Sequence, residues 1–146
     1  MTRVELPVRV ATPAPPPNAG VLAILTEIAD RLQRLAETGE RSVIELQNIP
    51  MTRADRAALE GFLGPGEVDA KLDLMGQSTV RETGCRGVWW VEHRNPEGRV
   101  VSESLEITVV PSILVTPAED IVDGAVELQE RLNQWPASAG GEQDET

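Results

Sequence analysis

Between Glu67 and Leu74 the chain alternates strictly. Val68, Ala70, Leu72 and Leu74 fall between Glu67, Asp69, Lys71 and Asp73. A two-residue period sends apolar side chains to one face and charges to the other, which is the pattern of a strand with one buried face. The segments after Leu74 leave no room for a crossover helix. Gly76 punctuates, Ser78–Thr83 reads as a polar strand, and Val88–Arg94 and Val100–Val110 are joined by Asn95-Pro96-Glu97-Gly98, a hairpin signal. Pro111 stops the last strand. Strands linked this closely pair antiparallel.

Helices flank this run. Val21, Leu25, Ile28, Leu32 and Leu35 step by four and three, one face of an amphipathic helix with Asn18 placed to cap it and Gly39 to end it. Ser42–Gln47 is a short β-branched strand. Thr52 and Asp55 form a capping box with Asp in place of the usual Glu or Gln, ahead of a helix carrying Ala57, Leu59, Phe62 and Leu63 and ended by Gly64-Pro65-Gly66. Ile121, Ala125, Leu128, Leu132 and Trp135 repeat the helical spacing, with Thr116 as cap and Pro117 in the first turn. The fold expected is α+β: a two-layer sandwich of a mostly antiparallel sheet with helices packed on one face. Residues 1–18, with Pro13, Pro15, Pro16 and Pro17, are expected to be a disordered tail, although Val4, Leu6, Val8 and Val10 alternate as a strand would. Residues 19–135 are expected to be one domain and residues 136–146 a disordered acidic tail.

Composition excludes several classes of function. The formal net charge is −11, which repels phosphate backbones, so nucleic acid is not expected as a partner and a basic protein surface is. No run of about 18 apolar residues is present, so a membrane span is not expected. One cysteine, Cys85, cannot form an internal disulfide and fits a reducing, cytoplasmic setting. One Cys and one His cannot build a zinc site of the usual kind, so neither metal nor cofactor is assigned. Cys85 and His93 on one extended segment would stand about 25 Å apart, too far for a nucleophile and its base.

The tandem Trp89-Trp90 is the most informative local feature. Neighbours on a strand point to opposite faces, so one indole meets the helices and the other is expected to face solvent, a partner or another sheet. His93 shares the parity of Trp89. Glu103 and Glu106 diverge to opposite faces, which argues against a paired-carboxylate catalytic site and favours a buried glutamate paired with Arg81 or Arg94.

These residues resemble a known family. Arg81-Glu82-Thr83, Gly87-Val88-Trp89-Trp90-Val91 with His93, Gly98-Arg99-Val100-Val101, Leu105-Glu106-Ile107 up to Val110-Pro111, and Glu119-Asp120-Ile121 look like the C-terminal domain of the HupH/HyaF hydrogenase expression/formation proteins. Ile44-Glu45-Leu46, Thr52 with Asp55 and Leu59, and Leu63-Gly64 with Gly66-Glu67-Val68 are similar too. The resemblance implies a cytoplasmic accessory role in assembling nickel–iron uptake hydrogenases, exercised by binding the small-subunit precursor or a fellow maturation factor. It implies no catalytic residue, and the chain is not expected to be an enzyme. The residues expected to meet a partner are Trp89, Trp90, His93, Glu82 and Glu106, and a homodimer is left open. The alternative is an iron–sulfur or metal carrier in which Cys85 and His93 of two protomers meet.

Overall fold

A computed structural model of the chain describes residues 18–143. The stretch expected as an N-terminal tail lies outside the described residues except for Asn18, as do residues 144–146. The described residues fall into two compact units, one ending at Pro111 and the other beginning at Ser112, where the sequence suggests one continuous body.

Helix α1 spans Ala19–Thr38. Asn18 caps it by accepting from the Val21 amide at 2.9 Å, and Gly39, in the left-handed region at φ 78°, closes it by donating to the Leu35 carbonyl. β1, Ser42–Glu45, gives way at Leu46 to a 3-10 turn over Leu46–Asn48, so it is two residues shorter than expected. The turn carries Leu46 into the core, where it is buried. α2, Arg53–Leu63, starts with the anticipated capping box: Thr52 accepts from the Asp55 amide, and Asp55 accepts from the Thr52 amide, each at 3.0 Å. Asn18 also donates to Asp55 at 2.6 Å, tying together the N-termini of α1 and α2.

The sheet is built from β2 (Pro65–Leu74), β3 (Gly76–Thr83), β4 (Val88–Arg94) and β5 (Val100–Ile107), with β1 added at one edge. The spatial order is β1-β5-β4-β3-β2, and every pairing is antiparallel. β2 begins at Pro65, inside the stretch expected to be only a helix terminator; an edge strand tolerates the missing N–H, and the register shifts between Pro65 and Asp69. β5 stops at Ile107, three residues earlier than expected. Ile107 pairs with the first residue of both neighbours, Ser42 and Val88, so the ladder has no partner beyond it. In the β4–β5 loop the Asn95 side chain accepts from the amides of Glu97 and Arg99.

The core joins two layers. Val21, Ile24 and Ile28 of α1 and Ala58, Leu59 and Leu63 of α2 pack with Ile44, Val88, Trp90, Leu105 and Ile107 of the sheet. This is the expected α+β arrangement. The opposite sheet face mixes buried apolar and polar residues: Val80, Trp89 and Val91 are buried on it beside Ser78 and Ser104, and Ala70, Val80, Val91 and Ser104 adjoin one another across four strands.

The second unit comprises a 3-10 turn, Ser112–Leu114, and α3, Ala118–Gln143. α3 therefore runs eight residues past Trp135, into the stretch expected to be a tail. Its stripe residues Ile121, Leu128 and Leu132 are exposed, so the periodicity locates the helix but not a buried face. Among the described residues no helix is long and apolar enough to cross a membrane.

Candidate functional site

The tryptophan pair divides the sheet into two environments. Trp90 pairs in register with Leu105 and Arg81 on the helix-facing side, and Trp89 pairs with Glu106 and Glu82 on the other. The parity is as expected, but neither ring is exposed: Trp89 retains 7% of its surface and Trp90 2%. The expectation of a solvent-facing indole is thus corrected. Trp89 shares its face with the buried Val80 and Val91, and its Nε1 donates to the Thr108 carbonyl at 3.2 Å.

Around Trp90 the sequence assembles a charged network inside the layer boundary. Its Nε1 donates to Glu103 Oε2 at 2.7 Å. Arg56 of α2 clamps the same carboxylate with both terminal nitrogens, Nη1 to Oε1 at 2.6 Å and Nη2 to Oε2. The guanidinium carbons of Arg56 and Arg81 lie 5.5 and 5.0 Å from the indole centroid, within cation–π range. Arg81 in turn donates to Glu60 at 2.5 Å. Burial pushes the Glu103 carboxyl upward, but the hydrogen bonds from Arg56 and Trp90 and the charges of Arg56 and Arg81 outweigh it and hold the group below the ordinary carboxylate range. The hydrogen bond to Glu103 likewise raises the Arg56 pKa. A buried glutamate was expected with Arg81 or Arg94. Its partner is Arg56, because α2 lies over this end of β5, while Arg94 pairs with Glu92. Sequence patterning alone does not single out Arg56 and Glu60; their four-residue spacing beside the Ala58–Leu59 stripe is the signal that could have found them.

On the opposite face, Val43, Glu106, Trp89 and Glu82 form one register row across four of the strands. The carboxylates of Glu82 and Glu106, both half-buried, thus flank the Trp89 position. Burial raises the Glu106 pKa, against the lowering charges of Arg41 and His93 and with a further raising charge from Glu45. His93 is half-buried two rows further on, its Nδ1 2.7 Å from the Ser78 hydroxyl. Four of the five expected contact residues therefore share a face, and Trp90 alone lies on the other. Cys85 sits in the turn before β4, partly buried against the core, its amide donating to the Thr83 hydroxyl. Among the described residues no group of three or more His, Cys, Asp or Glu side chains stands close enough to hold a metal ion.

Residues 18–135 match the family described as "HupH hydrogenase expression protein, C-terminal conserved region". The chain belongs to this family. HupH from Rhizobium leguminosarum bv. viciae, a hydrogenase expression/formation protein, is 33% identical over 118 residues, a match covering 81% of this chain and 42% of the relative. The hydrogenase-1 operon protein HyaF of Escherichia coli (strain K12) is 31% identical over 126 residues, covering 86% and 44%. The chain thus spans less than half the length of these curated relatives. A solved structure of the hydrogenase expression protein HupH from Thiobacillus denitrificans ATCC 25259 superposes with a TM-score of 0.74 at 38% identity, over 80% of this chain and 98% of that one. The Trp90 network and the Glu82–Trp89–Glu106 row accordingly belong to a HupH C-terminal domain.

Proposed function

We propose that the chain acts in the cytoplasm as a binding module in hydrogenase maturation, holding a hydrogenase small-subunit precursor or a fellow maturation factor without catalysing a reaction on it. The observation that carries this reading is membership of the HupH C-terminal family, whose relatives are named hydrogenase expression/formation proteins. The net charge of −11 supports a basic ligand, and the basic signal segment of a small-subunit precursor is the one proposed. The docking surface proposed is the sheet face carrying Glu82, Trp89, Glu106 and His93. There the half-buried carboxylates of Glu82 and Glu106 and the half-buried His93 stand at the rim of the buried Trp89, so that a partner can answer their charges. Trp90 is assigned a supporting part, since its ring is enclosed by Arg56 and Arg81.

The test is calorimetry of the purified chain against the precursor's signal peptide across a salt series. Binding that weakens as salt rises, and that weakens further in the Glu82→Gln/Glu106→Gln double variant, is expected. Absence of heat, or binding indifferent both to salt and to the double variant, overturns the reading.

A further inference from the structure

β2 is the outer strand of the sheet and pairs on one side only, with β3, among the described residues. Sheet edges are ordinarily kept short, broken by proline or covered, because an open row of N–H and C=O groups templates another strand. The opposite edge obeys this rule, since β1 has four residues. β2 has ten, the longest strand of the sheet. Its proline and register shift are confined to Pro65–Asp69, and from Asp69 to Leu74 it pairs residue for residue with β3. The outer backbone groups of that stretch are therefore evenly spaced.

The side chains along this edge are uncommitted. Glu67, Asp69, Lys71 and Asp73 are exposed, and none forms an ion pair among the described residues. Between them Val68 is exposed and Ala70 and Leu72 are half-buried. We infer that this edge accepts an extended segment of a partner protein as an added β-strand, with basic side chains opposite Glu67, Asp69 and Asp73, an acidic one opposite Lys71, and apolar side chains between. Main-chain hydrogen bonds would supply affinity and the alternate side chains the selection. Charge decides the occupant. With three acids to one base, a second copy of β2 meets net like charge, and a basic segment does not. This rests on the reading of the chain as a binding module for a basic partner and names where and how an extended part of that partner is held.

The probe is a synthetic seven-residue peptide carrying arginine at positions one, five and seven, glutamate at three and valine between. It is titrated into the full isotope-labelled chain and followed by NMR and amide exchange. Expected are slowed exchange at every second amide of the Asp69–Leu74 stretch, through-space contacts from the peptide to β2, and about a tenfold loss of affinity in the exposed charge-reversal variant Asp69→Lys/Asp73→Lys. A peptide with glutamate at positions one, three and five and arginine at seven, which answers the reversed charges and keeps the partners of Lys71 and Glu67, should recover binding to that variant. No binding, binding mapped away from β2, or binding unchanged by the reversal overturns the inference. So does slowed exchange at alternate β2 amides in the chain alone: concentration dependence would then identify a second copy, and independence a segment of the same chain (Arg3, Glu5 and Arg9 alternate with Val4, Leu6, Val8 and Val10 there). The peptide assay contains no hydrogenase protein, so its failure and the failure of precursor binding are read separately.

Discussion

Trp90 and Glu103 are diagonal neighbours on β4 and β5, offset by one pair along one sheet face, and the indole nitrogen donates to the carboxylate at 2.7 Å. That hydrogen bond lets a carboxylate with 5% of its surface exposed lie beside an aromatic ring. The remaining acceptor capacity is taken by Arg56, which reaches down from α2. The tandem tryptophan is therefore a structural joint on one side and part of the proposed docking face on the other.

Glu103→Gln should destabilise the chain by about 3 kcal/mol, the low end for breaking a buried ion pair, because Arg56 keeps about a third of its side chain in water and is only partly stranded. Urea unfolding measures this directly. Arg56→Lys should recover little of the Arg56 contribution, since an ammonium cannot clamp both carboxylate oxygens.

The two carboxylates of β5 should respond to pH in opposite senses. Glu103, held below the ordinary carboxylate range in the folded chain, contributes stability that is fully present above the unfolded-state value and is lost as pH falls through the folded one. Glu106, raised by burial, contributes stability that is present below the unfolded-state value and lost as pH rises through the folded one. Thermal melts from pH 3 to 8 should show Glu106→Gln matching or exceeding the parent at neutral pH, by under about 1 kcal/mol. Glu103→Gln should instead fall furthest below the parent at neutral pH and converge with it in acid.

Replacing each tryptophan by phenylalanine should give unequal losses. Trp90→Phe removes a donor to a charged, buried acceptor and weakens the stacking of two guanidiniums, costing about 2–3 kcal/mol. Trp89→Phe removes a donor to a neutral carbonyl, costing about 1 kcal/mol. Chemical denaturation of the two variants checks the order, and the reverse order would remove the Trp90 network from its assigned part.

Gly76 and Gly98 both adopt positive φ, at 123° and 87°. A Cβ at Gly76 would lie 2.0 Å from the Arg94 carbonyl oxygen, whereas one at Gly98 would meet nothing within 4 Å. Gly98→Ala should cost about 1 kcal/mol in backbone strain alone. Gly76→Ala should cost at least about 3 kcal/mol, because the end of β4 must also move. The difference between the two melting shifts isolates the crowding.

Local rules in the sequence settled a good deal of this protein. Capping chemistry located both ends of α1 and the start of α2, since Asn18, Gly39, Thr52 and Asp55 act within a turn of themselves. The two-residue period placed the strands and set Trp89 and Trp90 on opposite faces, a consequence of strand geometry that no packing can change. It also separated Glu103 from Glu106. Tertiary structure decided the rest. Arg56 lies 47 residues from Glu103 in the chain and meets it only because α2 crosses that end of β5. β5 ends at Ile107 because both neighbouring strands begin there. Trp89 is buried along with Val80 and Val91 on the second sheet face, which alternation in a single strand cannot reveal. Periodicity tells which residues share a face; only the assembled strands tell what that face meets.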